Sequence, residues 1–464
     1  MSVSIPVDSI PIEKRRKMVT DLRIKTFIKK KGKKVPTQAY FDNYEVVGEN
    51  VIMPFAYYFH NISSTYGTNS DTFPNIERQY PVNKAKFVLD LFDRQKNIRK
   101  ETLEILNTYR SILLALRVAF GKTLYTIYLV STIIKLKAVI FAHRIILIDQ
   151  WRTSINKCCP NAKVQILDSK NKIDPEADFY IINITNVTKR HPDDFKDCGV
   201  LVIDEMHATC SEKYSQSYRY VFPKYILGLT ATPERADGKD SMIDHYVGPA
   251  CIHVPLKAMY NVYLYYTGFS PKAQTNERGD LDWNGVIRDQ YLDKNRNTLI
   301  VDIIRYFVSR NILVLCKRKN HVKLLHAALR TYGIDSDVYM GSQKIVNYDC
   351  RVLISTTSKS GVGFDHPKLD MLIVAGDMQE LFIQYLGRVF RRDDNFPIII
   401  DLVDKFFPLK KHFEGRADVY KQSEGEVKNL TNYFPQFESW RKRFNTNLEN
   451  VYSEINLCEE DDSE

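Results

Sequence analysis

Leu201-Val202-Ile203-Asp204-Glu205-Met206-His207 is an apolar run of strand length that ends in two adjacent carboxylates. A run of Leu, Val and Ile without polar alternation is what a strand buried on both faces requires, and such strands belong to parallel sheets covered by helices. Working outward, Ile112 to Leu116, Ala138 to Ala142, Phe179 to Ile184 and Tyr225 to Leu229 read the same way, with helical patterns at Asp93 to Tyr109 and Thr123 to Lys135. After a variable region around Tyr260 to Trp283 the rhythm restarts at Ile312 to Cys316, Val338 to Met340, Val352 to Ser355, Met371 to Ala375 and Pro397 to Leu402. Strand and helix in alternation predict an α/β fold, and the restart predicts two tandem lobes on parallel sheets with a cleft between them.

The expected organisation is a basic arm and small N-terminal module over 1–85, a first lobe over 86–258, a variable linker over 259–290, a second lobe over 291–405 and a helical C-terminal extension over 406–464. A length of 464 residues suits two or three domains. The Lys- and Arg-dense stretch from Lys14 to Lys34 reads as a solvated arm, Tyr40 to Pro81 as a partly β-structured module, and Glu459 to Glu464 as an acidic tail. A formal charge of +10 favours polyanionic partners such as nucleic acid. The eight cysteines lack the paired spacing of a zinc site and read as reduced, mostly buried thiols. The apolar run Leu124 to Ile134 is broken by Lys135 and Lys137 short of a membrane span, and no apolar signal core opens the chain. The expectation is a reducing cytosolic or nuclear-type compartment, no membrane and no secretion.

Adjacent acids at a strand end suit phosphoryl transfer, in which one carboxylate holds the Mg²⁺ shell and a second orients or deprotonates the attacking water; Asp204 and Glu205 take those roles in that order. Ala119-Phe120-Gly121-Lys122-Thr123 follows a strand and opens a helical pattern, the setting of a phosphate-binding loop. There backbone N–H groups face the phosphates of ATP, Lys122 reaches the β and γ oxygens and Thr123 ligates Mg²⁺. Leu116 and Ala119 stand where glycines are usual, and Ala119 is expected to keep a negative φ. Near the other end of the chain, Arg388 and Arg391 lie three apart, so a helix places them on one face.

Asp-Glu-x-His at 204–207 followed by Thr-Ala-Thr-Pro at 230–233 resembles the core signature of superfamily 2 helicases. The resemblance spans about Phe92 to Asp401 and implies two RecA-like P-loop lobes, ATP and Mg²⁺ as cofactors, and a nucleic-acid substrate. It implies that Gln95, after Arg94, reads the adenine edge. Ala142-His143-Arg144 and the following Leu147-Ile148-Asp149-Gln150-Trp151 look like a strand-gripping segment, with Arg144 on phosphate and Leu147 and Trp151 as packing; Thr230 and Thr232 would join that grip. Ser355-Thr356-Thr357 through Gly361-Val362-Gly363-Phe364-Asp365 resembles motif V, with Thr356 and Thr357 on nucleic acid and Gly363 and Asp365 near the ribose. Gln384-Tyr385-Leu386-Gly387-Arg388-Val389-Phe390-Arg391-Arg392 resembles motif VI, the arginine-finger segment, which makes Gln384, Arg388 and Arg391 catalytic alongside Lys122, Asp204 and Glu205. Within the superfamily the chain is similar to the compact DNA-directed helicases of large DNA viruses, of poxvirus and iridovirus type. That implies a motor acting on DNA, coupled to viral transcription machinery, in host cytoplasm or nucleus or carried in the virion. An RNA helicase, a translocase that leaves strands paired and an inactive nucleic-acid-binding scaffold remain as alternatives. The scaffold is the poorest of these, because Lys122, both acids and both arginines would be costly in a cleft without chemistry to perform.

Overall fold

The computed structural model describes residues 2–28, 37–63, 78–231, 240–272, 275, 279–343, 345–361, 364, 366–379, 382–390 and 395–455. The chain divides into two compact units, Met1–Val254 and Pro255–Glu464. Each is built on a seven-stranded sheet in which every pairing is parallel.

In the first unit the strand order is Cys251–Val254, Ser111–Leu116, Tyr225–Thr230, Val200–Ile203, Ala138–Ala142, Phe179–Asn183, Val164–Leu167. The central strands are wholly buried, which is why their sequences are continuous aliphatic runs. Because all run the same way, the loops that follow them emerge along one edge, which gathers residues 117–123, 143–144, 204–207 and 231.

The described part of the basic stretch, up to Ile28, is a helix and a strand and not a bare arm. Ile12–Asp21 is a helix and Arg23–Ile28 pairs with Thr37–Asp42 as a hairpin, while Ser2–Pro6, Asn50–Pro54 and Glu45–Val47 form a small antiparallel sheet. Met18 and Leu22, four apart, are buried beneath the cationic face of the helix. Lys14 Nζ donates to the Ile62 carbonyl at 2.7 Å and Arg15 Nε to that of Ile10 at 2.6 Å, so these cations hold local structure. Val3, Ile5, Val51, Met53 and Phe55 share one apolar core with Phe141, Tyr218, Met242 and Tyr246 of the large sheet's flank. Lys29 to Lys34 lie outside the described residues, as does the acidic tail.

The second sheet runs Ser336–Tyr339, Val352–Thr356, Ile312–Cys316, Met371–Val374, Ile398–Val403, Tyr260–Tyr266, Gly425–Asn429. Two expectations change here. The stretch 259–290 contributes an interior strand, with Val262, Tyr263 and Leu264 buried, followed by the helix Trp283–Leu292. The extension after 406 is not purely helical, since Gly425–Asn429 closes the sheet as its edge strand. The helix Phe407–Gln422 before it is tied to the sheet by Arg416, whose guanidinium donates twice to buried Asp401, at 2.9 and 2.8 Å. Among the described residues all seven cysteines are free, and no helix is long and apolar enough to cross a membrane.

Candidate functional site

The loop between the strand Ser111–Leu116 and the helix beginning at Lys122 is held from outside by the start of the helix Asp93–Tyr109. Arg94 Nε donates to the Phe120 carbonyl at 3.0 Å and its Nη2 to that of Ala119 at 3.1 Å. Buried Gln95 donates through Nε2 to the carbonyls of Gly121, 3.0 Å, and Phe120, 3.3 Å, while its Oε1 accepts from Phe92 N at 3.0 Å. A trans peptide sets its N–H opposite its carbonyl. With the Phe120 and Gly121 carbonyls drawn toward Arg94 and Gln95, the N–H groups of Gly121 and Lys122 face the other way, as phosphate binding requires. The Gln95 amide is thus engaged with the loop. Arg94, which the sequence reading left without a role, is the loop's second clamp and stacks over the Phe92 ring at 4.4 Å.

Ala119 departs from expectation: its φ is +64°, in the left-handed region. The reason is the carbonyl geometry just described, which turns the chain at 119 and again at Gly121, φ +87°. A Cβ on Gly121 would also stand 2.6 Å from Gln95 Nε2, so glycine is required there. At Ala119 the left-handed backbone costs about 1–2 kcal/mol, partly offset because alanine restricts the unfolded chain by about 0.4–1 kcal/mol more than glycine does. Ala119→Gly is therefore expected to stabilise the protein by at most about 1.6 kcal/mol, roughly 3–6 °C in melting temperature for a domain of this size. A thermal melt checks this, and a lower melting temperature would contradict the strain.

Asp204 continues the buried strand Val200–Ile203, its N–H bonded to the Phe141 carbonyl at 3.1 Å. Its Oδ2 accepts from Trp151 Nε1 at 2.9 Å and its Oδ1 from Glu205 N at 3.0 Å. Burial and then the neighbouring Glu205 raise the carboxyl's proton affinity, against which the Trp151 N–H and the Lys122 charge pull. Trp151, expected as packing, thus orients the acid; a buried indole N–H needs an acceptor, and that was the available signal. A buried carboxylate destabilised by a second one is a place short of positive charge. Mg²⁺ commonly takes only one or two protein oxygens and completes its shell from phosphate and water. Asp204 and partly exposed Thr123 are the residues that would hold it, and the charge deficit fits such an ion. Among the described residues no group of His, Cys, Asp and Glu offers a metal site without phosphate.

Removing the indole donor tests this. In Trp151→Phe the carboxylate loses a hydrogen bond that favours its charged form, so the proton is held more tightly and competes better with a cation. The magnesium concentration for half-maximal ATPase should rise by about 10-fold or more, as for loss of a second-shell partner, and the acid limb of the pH profile should move to higher pH. An unchanged magnesium titration would rule out the orienting role.

Glu205 sits at φ +49°, and its Oε2 is buried without a hydrogen bond. Its neighbour at 3.5 Å is His207 Nδ1, whose closer partner is Thr230 Oγ1 at 2.8 Å. His143 adds a second imidazole: burial, then Arg144, pushes its pKa down to about 4 while Glu205 opposes, and its Nδ1 has no hydrogen bond. A buried carboxylate oxygen that has His207 Nδ1 at 3.5 Å but no hydrogen bond, next in the chain to Asp204, suits a group that accepts a proton from water.

The expected strand-gripping residues divide. Arg144 is exposed at the start of the helix Ile145–Cys158. Thr230 is fully buried with its hydroxyl on His207, so it connects two loops of the first sheet rather than offering a surface contact. Thr356 is also buried, 3.1 Å from the Ser358 hydroxyl, whereas Thr357 is partly exposed and its carbonyl accepts from Tyr385 Oη at 2.8 Å. Gln384 is buried with its Nε2 unpaired. Arg388 is buried too, Nη1 donating to the Phe364 carbonyl and Nη2 to that of Gly361, so this arginine clasps the motif V loop of its own unit. Thr232, Gly363, Asp365 and Arg391 lie outside the described residues.

Comparison with known proteins gives the family. Residues 88–235 match the family described as type III restriction enzyme, res subunit. The helicase-designated protein 161L of Invertebrate iridescent virus 6 is 33% identical over 380 residues, 76% of this chain and 86% of that protein. The transcript termination protein A18 of Yaba monkey tumor virus is 28% identical over 322 residues, 60% of this chain and 64% of that protein. Among solved structures, S. cerevisiae Dbp5 bound to RNA and ADP BeF3 superposes with a TM-score of 0.51 over 78% of this chain and 97% of that one, at 14% identity, a likeness of fold. With two parallel-sheet units, a phosphate loop, a strand-end Asp-Glu pair and a relative one-third identical over most of its length, the chain belongs to the superfamily 2 helicases, in their viral branch.

Proposed function

We propose that the protein is a nucleic-acid-stimulated ATPase that moves along DNA in the service of viral transcription, in host cytoplasm or nucleus. The observation that carries the reading is Glu205: a buried carboxylate oxygen without a hydrogen bond beside Asp204, at the same sheet edge as the N–H groups of the Lys122 loop. Lys122 and Thr123 bind the triphosphate, Asp204 holds the charge balance that Mg²⁺ completes, and Glu205 takes the proton of the attacking water. His207 carries the state of that site to Thr230 through their hydrogen bond. Arg388 supplies the transition-state cation once it leaves the Gly361 and Phe364 carbonyls. The restriction-enzyme family match supports the DNA reading, against the RNA-helicase names of other viral relatives, and the transcript-termination relative supports the link to transcription.

The test is a panel of duplex DNA, single-stranded DNA and RNA, read for ATPase stimulation and strand displacement with Glu205→Gln as the inactive control. Stimulation by DNA is the expected result. Stimulation by RNA alone would reverse the substrate, stimulation without displacement would make the protein a translocase, and no stimulation at all would remove the motor.

A further inference from the structure

Beyond Arg144 the strand-end edge of the first sheet continues through Phe179–Asn183 to Val164–Leu167, since Ala142 pairs with Asn183 and Leu167 with Ile182. The loop after Val164–Leu167 and the turn after the short helix Ile184–Val187 flank an open pocket of about 380 Å³ lined by Lys170, Lys172, Lys189, Arg190, His191 and Asp194, among others. Its frame is built rather than accidental. The Arg190 side chain, 4% exposed, pairs with Asp194 at 2.9 Å. It also donates to the Asp168 carbonyl at 2.7 Å, the Asn171 amide oxygen at 2.9 Å and the Asn171 carbonyl at 2.9 Å. Arg190 thus joins the loop after one strand to the loop after its neighbour.

The acids of the neighbourhood are engaged by the frame itself. Asp194 faces Arg190, Asp193 lies 3.3 Å from His191, and Asp168 accepts the N–H groups of Lys170 and Asn171, which lowers its pKa. Lys170, Lys172 and Lys189 are exposed, and none has a carboxylate partner among the described residues; Lys189 touches only the Asn186 amide oxygen, at 3.0 Å. Three exposed ammonium groups, of which only Lys170 has a carboxylate, Asp168, in its field, are suited to phosphodiester oxygens. The last strand of the sheet, Val164–Leu167, lies two strand spacings, roughly 10 Å, from the strand that delivers Arg144. At about 3.4 Å of axial rise per phosphate on one strand, that is near three nucleotides.

We propose that this pocket is a backbone-binding subsite that lengthens the nucleic-acid track from Arg144 outward along the first unit; the inference rests on the reading of the chain as a nucleic-acid motor. The test compares the full chain with a Lys170→Ala, Lys172→Ala, Lys189→Ala triple variant, using a labelled 20-nucleotide oligothymidylate and a 20-base-pair duplex between 50 and 200 mM salt. Each lost phosphate contact reduces the slope of log affinity against log salt by about 0.7 on single strands and 0.9 on duplex. The triple variant should therefore lose roughly two slope units or more with at least one probe and bind about 10- to 100-fold more weakly at low salt, with unchanged basal ATPase. Replacement of the same lysines by arginine should restore the slope. Wild-type slope and affinity in the alanine variant would overturn the subsite while leaving the motor standing. A wild-type protein that binds neither probe would overturn both.

Discussion

Glu205→Gln is expected to lower kcat for ATP hydrolysis by about 10²–10⁴-fold while leaving nucleotide affinity and melting temperature close to those of the wild type. The substitution keeps volume and one oxygen but removes the ability to accept a proton. Glu205 touches the rest of the fold mainly through its backbone, whose N–H bonds Asp204, so the side chain can change with little structural consequence. Its Oε2 has no hydrogen bond to lose. The variant also removes the negative charge that raises the proton affinity of Asp204, so that acid should titrate at lower pH than before. Steady-state kinetics at saturating DNA, with nucleotide binding measured separately, decide the matter. A raised KM at unchanged kcat would mean that Glu205 contributes ground-state binding alone.

Arg388→Ala should reduce the nucleic-acid-stimulated rate by about 10³–10⁵-fold if the residue serves as the finger. The same change has a second effect, because Arg388 donates to the carbonyls of Gly361 and Phe364, and a buried acceptor left without a donor costs about 1–3 kcal/mol. Loss of activity from the alanine variant alone is therefore ambiguous, and Arg388→Lys separates the two roles. Lysine keeps the charge and one donor bond but has no planar fork to span both carbonyls. It should melt closer to wild type than the alanine variant does, yet remain well below wild type in stimulated ATPase. A folded Arg388→Lys or Arg388→Ala protein with the full stimulated rate would make this side chain a brace for the motif V loop only.

How far the sequence could be read depended on burial. Val200–Ile203 and Ile312–Cys316 are buried on both faces, so their aliphatic runs announce parallel strands and their ends announce where chemistry is placed. Val164–Leu167 and Gly425–Asn429 are edge strands with half-exposed, mixed residues, and nothing in their pattern distinguishes them from loops. Tyr260–Tyr266 was hidden by its setting: a tyrosine-rich run before a polar stretch resembles a connector until its neighbours in the sheet are known. Within the site, Lys122, Asp204 and Glu205 were legible because their chemistry depends on residue type at a strand end. The positive φ of Ala119, the clamp by Arg94 and the inward turn of Thr230 were not, since each depends on partners distant in sequence. The cationic run at Lys14 to Lys17 misled in the opposite sense, because charge outnumbers the two apolar residues, Met18 and Leu22, that decide where the helix lies.

The family match begins at residue 88, yet Val3, Ile5, Met53 and Phe55 lie against Phe141, Tyr218 and Tyr246. Trimming the polypeptide to the boundary that homology suggests would strip aromatic surface bare on the flank of the sheet that carries Asp204, and such surface promotes self-association. Val3, Ile5, Met53 and Phe55 thus make the leading residues a fitted panel of the first unit, not an appended accessory domain.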